Sequence, residues 1–70
     1  MMLTRKSLTH HMDTHLPQTS LQMRRAICAI VIDGHTWRRA AIAHNVTESG
    51  ILMAMRRGKV REFIAACKSS

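Results

Sequence analysis

The segment WRRAAIAHNVTESGILMAMRRG, residues 37–58, leaves its backbone few ways to run. Two short helical patterns are divided by Asn45, and asparagine is one of the few residues besides glycine that tolerates a positive φ. Two helices crossing steeply through a turn of three or four residues make specific demands. A small side chain is needed where the second helix lies on the first, then a turn residue, an apolar plug, a capping hydroxyl and an aliphatic residue returning to the core. Ala41, Asn45, Val46, Thr47 and Ile51 meet these demands in that order.

The flanks extend the helical pattern. Thr36 is placed to cap a helix over 37–44, in which Ala40, Ala41 and Ala43 are small packing residues. Thr47 caps a helix over 48–57 that stops before Gly58. Upstream, TSLQMRRAICAIVIDG has capping-box spacing at Thr19 and Gln22, and Leu21, Ile27, Cys28 and Val31 recur on one face. A helix over 20–33 follows, ended by Gly34 in the left-handed conformation. In KVREFIAAC, Val60, Phe63, Ile64 and Cys67 also fall at helical spacing. Residues 1–18 are polar, rich in Thr and His and closed by Pro17, which reads as a flexible arm. The predicted fold is all-α: an N-terminal arm (1–18) and a small helix-turn-helix domain (19–70) of three to four helices.

Seventy residues make one domain, and a chain that short buries only about 60% of the surface its unfolded form exposes. With one Trp, one Phe and no Tyr, the core must be aliphatic. Trp37 is expected as a core or corner anchor, and Met23 with one of Met53 and Met55 as gap fillers. A second copy would add buried area, and the stripe of Val60, Phe63, Ile64 and Cys67, on a helix over 59–68, is the expected homodimer surface.

Eleven Lys and Arg against four Asp and Glu give a net charge of +7, which attracts polyanions at long range. The bases come largely in pairs, Arg24-Arg25, Arg38-Arg39 and Arg56-Arg57, followed by Lys59 and Arg61. Arg38, Arg39, Arg57 and Lys59 are the expected phosphate contacts, and Arg5 and Lys6 are placed to enter a minor groove from the arm. Cys28 and Cys67 sit in apolar contexts and read as buried reduced thiols. No signal peptide is visible, and AICAIVI, the longest apolar run, is too short for a bilayer, so a cytoplasmic protein is expected. Four carboxylates, no phosphate-binding glycine loop and no nucleophile motif speak against an enzyme or a small-molecule substrate. His10, His11, Asp13 and His15 have ligating chemistry but lie in the presumed arm, so neither a metal site nor any other cofactor is expected.

AIVIDGHTWRRAAIAHNVTESGILMAMRRG resembles the helix-turn-helix of small plasmid and phage transcriptional repressors, especially the KorA (TrfB) type. In that type a helix ending in a glycine turn leads to an Ala-Ala helix and then to a recognition helix with a basic end. The resemblance covers about residues 26–58, and its motif is shared with transposase and resolvase DNA-binding domains. Asn45 replaces the usual glycine, and Leu52 and Met53 stand where polar base-reading residues are frequent. The resemblance implies a repressor whose third helix lies in the major groove of double-stranded DNA, with Thr47, Glu48, Ser49, Leu52, Met53 and Arg56 at the bases. Two rivals stand beside it. One is an architectural protein or recombinase arm with weak sequence preference. The other is an interaction protein that uses the same scaffold to bind and inhibit an acidic host protein or nucleoprotein complex, favoured by the apolar Leu52 and Met53.

Overall fold

The computed structural model describes residues 2–69. It contains five helices: α1 (Arg5–His15), α2 (Leu21–Val31), α3 (Trp37–Ala43), α4 (Glu48–Arg57) and α5 (Val60–Ser69). Among the described residues there is no strand, so the all-α expectation holds with one helix more than the three to four anticipated.

The additional helix is the presumed arm. Thr4 and Ser7 cap α1 reciprocally: the Ser7 amide donates to Thr4 Oγ1 at 3.0 Å and the Thr4 amide donates to Ser7 Oγ at 2.9 Å. Serine in place of the usual Glu or Gln hides this box from a motif search. Leu8, Met12 and Leu16, spaced four apart, lie on one side of the helix and are fully buried. Three apolar residues in an otherwise polar segment are enough because each fills the core completely. Residues 1–18 are therefore not a flexible arm.

Polar tethers complete the docking. Arg5 grips both carboxylate oxygens of Asp33 at 2.7 and 2.8 Å, which holds its guanidinium even more firmly protonated than usual. Arg24 pairs with Asp13 and donates to the Leu16 carbonyl at 2.8 Å, satisfying a helix end. Arg5 thus belongs to a helix with its charge engaged, and does not enter a groove from a loose arm.

Central helix α2 is capped by Ser20, not Thr19, with the Met23 amide donating to Ser20 Oγ at 3.2 Å. Gly34 takes φ +74° beyond its end, and the His35 amide donates back to the Ala29 carbonyl at 3.0 Å. Its buried Ala26, Ile27, Cys28 and Ala29 form the middle of the core, with α1, α3 and α4 packed around it.

The α3–α4 unit follows its sequence pattern closely. Thr36 and Thr47 cap through the amides of Arg39 and Gly50, at 3.1 and 2.9 Å, and Asn45 stands at φ +56°. The Val46 amide donates to the Ala41 carbonyl at 3.0 Å, tying the plug to the helix it covers. Ala40 and Ala41 are buried under α4, and Ile51 is fully buried.

Helix α5 departs from expectation in its use. Val60 is fully buried, Cys67 is buried, and Phe63 and Ile64 are half-buried against the same core. Helix α1 packs against α5 and takes the contacts assigned to a second copy. The expected dimer stripe is thus largely an internal surface of one chain.

Two predictions test this packing. Leu8→Ala is expected to lose about 3 kcal/mol in urea unfolding, as for a fully buried leucine; an arm residue would lose nothing measurable. Burial, reinforced by Asp33 and opposed by Arg5 and a hydrogen bond to Thr9, pushes the Cys28 thiol up. On raising the pH the unfolded thiol therefore ionises first, and the unfolded state binds fewer protons. Stability contributed at this site is intact below the ordinary thiol range, about 8.5, and declines as pH rises above it. Urea titrations across that range should show a shallower alkaline decline for Cys28→Ala than for the unsubstituted chain.

Candidate nucleic-acid interface

Helix α4 divides cleanly. Ile51 and Met55 turn into the core, Gly50, Leu52 and Ala54 sit at the margins, and Glu48, Ser49, Met53, Arg56 and Arg57 are exposed. Ser49, Met53 and Arg56 are spaced four and three apart, so they share one outward line, with half-buried Leu52 beside it. Four of the six residues expected at bases thus fall on one strip. Thr47 is exposed at the head of the helix, but its hydroxyl oxygen already accepts the Gly50 amide. Glu48 begins the first turn, where the positive end of the helix dipole suits a carboxylate.

The outward strip is possible because the inner side packs closely. A Cβ on Gly50 would stand 2.9 Å from Thr47 Oγ1 and 3.0 Å from Met23 Cε, so its bare backbone serves contact with α2 rather than approach to a groove. Met23 and Met55 are the gap fillers, leaving Met53 60% exposed.

On α3, Arg38 and Arg39 are exposed in the first turn, with Ile42 and Ala43 one turn further along the same outer side. Together with Thr36 these residues line a shallow depression, and Ile42 is 73% exposed. Trp37 is half-buried against the core, as an anchor would be.

The charge balance sharpens on folding. Eleven bases less Arg5 and Arg24, which hold the two ion pairs, leave nine, and all nine are exposed. Asp13 and Asp33 are consumed by those pairs, so only Glu48 and Glu62 oppose the nine. Arg24 is engaged by Asp13 and the Leu16 carbonyl, whereas the expected phosphate contacts Arg38, Arg39, Arg57 and Lys59 are all exposed, as is Arg56.

The basic end of α4 is held from below by α1. His11 Nε2 lies 2.7 Å from the Gly58 carbonyl, at the end of α4, and so carries a proton there. Lys59 then turns the chain at φ +53° into α5. The His11 ring stacks on Phe63 with centroids 4.3 Å apart and lies against His15 at the same separation. His11 thus serves in packing and capping, and among the described residues no three ligating side chains converge as a metal site would need. His11, Leu16 and Arg24 are the supporting residues that the sequence pattern did not reveal. The single signal for them was the four-residue spacing of Leu8, Met12 and Leu16 within a polar stretch.

Among the described residues no helix is long and apolar enough to cross a membrane. Comparison with known protein families, with curated proteins and with solved structures finds no match to this chain.

The contact beneath α4 is testable. A Cβ on Gly58 would stand 2.5 Å from Leu16 Cδ1 and 2.7 Å from its Cγ. Gly58→Ala should therefore lose about 1–3 kcal/mol through overpacking. A double-mutant cycle with Leu16→Ala should show a coupling of at least about 0.5 kcal/mol, because the shorter side chain makes room for the new methyl.

Proposed function

We propose that the chain binds double-stranded DNA sequence-specifically through α4 and represses transcription by occupying a promoter, as a cytoplasmic regulator of plasmid or phage genes. The observation that carries this is the α3–turn–α4 unit itself. It leaves one side of α4 exposed and carries exposed arginines that, among the described residues, have no carboxylate partner. Ser49, Leu52, Met53 and Arg56 would stand at base edges, with Arg56 able to fork onto guanine and the two apolar side chains suited to thymine methyls. Arg38, Arg39, Arg57 and Lys59 would hold phosphates on either side, fixing register without reading sequence. Binding is the whole activity; no catalytic step is assigned.

The apolar content of the same strip favours one other reading, docking onto an acidic protein surface. Exposed Met53 and Ile42 with neighbouring arginines would suit such a partner. Replacing Leu52 and Met53 together by Ala should weaken a protein partner strongly and DNA modestly.

Selection from a random duplex pool, followed by salt titration, decides between them. An enriched sequence bound at least about a thousandfold tighter than a scrambled duplex is the expected result. If six bases neutralise phosphates, log K should fall against log salt with a slope of about −5. Enrichment of nothing, with binding that simply vanishes as salt rises, would overturn sequence-specific recognition.

Homodimerisation belongs to the same proposal as two α4 helices on a palindrome, about 34 Å apart. Since α5 is occupied within the chain, assembly is expected only on DNA. Sedimentation equilibrium of the free protein at micromolar concentration should return the monomer mass, and a stable free dimer would contradict that expectation.

A further inference from the structure

The seam between α1 and α2 holds a feature that DNA binding does not use. Arg5, Thr9 and Met12 from α1 and Leu21, Arg24, Arg25 and Cys28 from α2 line a cavity of about 250 Å³. The four α2 residues fall at i, i+3, i+4 and i+7, so they form a continuous stripe facing α1. Buried Met12 and Cys28 make the floor apolar, while Leu21, at the rim, is 62% exposed. Three guanidinium groups stand around this apolar lining, and no carboxylate side chain is part of it. Arg5 and Arg24 are committed to Asp33 and Asp13, although Arg24 Nε is buried with no acceptor. Arg25 is exposed and has no ion-pair partner among the described residues.

We propose that this groove binds a small aliphatic carboxylate. Its tail lies against Leu21, over the buried Met12 and Cys28, and its head group is held by the Arg25 guanidinium. Charge and shape both select this class. A neutral alkane would leave Arg25 without an acceptor, and a bare anion would leave the exposed leucine uncovered. At about 30 Å³ for each water-sized group the cavity accommodates roughly eight non-hydrogen groups, which matches the carbons of octanoate and leaves its two carboxylate oxygens at the rim. Arginine suits the head group because its planar fork matches a carboxylate with two parallel hydrogen bonds. The occupant would touch both helices and strengthen the docking of α1, whose other side supports Gly58 at the end of α4. An effect on DNA rests on the DNA-binding function proposed above; occupancy of the groove does not.

Octanoate is the direct probe, with octanol and acetate in parallel, titrated into the full chain and followed by amide chemical shifts and by Tm. Octanoate is expected to raise Tm saturably and to shift amides along the seam, with octanol and acetate at least about tenfold weaker. Arg25→Ala should weaken octanoate about tenfold while leaving the Tm of the free protein unchanged. Octanol binding as tightly as octanoate would overturn the proposal. So would undiminished binding to Arg25→Ala, or shifts centred on Arg38 and Arg56 instead of the seam. DNA affinity measured with and without saturating octanoate separates the two claims. A chain that binds octanoate at the seam but selects no duplex keeps the groove and loses the DNA-binding function.

Discussion

Leu16 occupies the space that a side chain at position 58 would need, and the rest of the molecule depends on that contact. It brings the end of α1 against the turn that joins α4 to α5, so the first and last thirds of the chain close over α2. A 70-residue chain with two aromatic residues has little margin for a core that is open on one side. Leu8, Met12 and Leu16 close it, joining Val60 in one core cluster against which Phe63 and Ile64 pack. The area missing from an arm-and-domain arrangement comes from within the chain, which removes the main physical reason for a free dimer.

Charge follows the same closure. Both aspartates are engaged in fastening α1, Asp33 to Arg5 and Asp13 to Arg24, so folding removes half of the chain's carboxylates from the long-range balance. Such exposed pairs contribute modestly to stability. Their larger effect is on what remains: nine exposed bases opposed by two glutamates. That surface repels itself, which costs stability, and attracts any polyanion within a Debye length. A fold this small keeps so unbalanced a surface only because its core and caps are nearly complete, with Thr4, Ser20, Thr36 and Thr47 each accepting an amide hydrogen bond at a helix start.

Residues 36–58 were legible in the sequence because each demand of the turn falls on one residue with a distinctive property. Asn45 takes the positive φ, Thr47 caps, and Ile51 turns inward, with α3 and α4 within one residue of the expected limits. Nothing comparable marked α1. Its core contacts rest on three residues, its capping box uses Ser7, and its histidines dilute the apolar face until periodicity fades. At α2 two adjacent hydroxyl residues competed for the cap, and the Thr19–Gln22 spacing favoured the wrong one; a side-chain pattern cannot show which of two neighbours has the extended backbone. The α5 stripe was correctly read as apolar and assigned to the wrong neighbour, since amphipathicity reports that a face is covered and not by what. The outward strip of α4 was legible for the converse reason: once Ile51 and Met55 face inward, helical geometry leaves Ser49, Met53 and Arg56 outside.

That strip also limits how any recognition by α4 would work. Serine accepts and donates, so Ser49 would distinguish bases poorly, and only Arg56 would offer the two-pronged geometry that singles out guanine. Leu52 and Met53 have no hydrogen bonds to lose at a wrong base and would discriminate through the thymine methyl alone. Glu48 acts in the opposite sense. A carboxylate in the first turn would be repelled by phosphates and compensated at a base only by a cytosine amino group, so it would exclude more sequences than it selects. Specificity on such a helix would come from one attractive arginine, two shape contacts and one repulsive carboxylate, with arginines and Lys59 supplying affinity without information. A surface of that kind discriminates chiefly by what it rejects, and substituting Glu48 would broaden its sequence range more than it would change its tightest site.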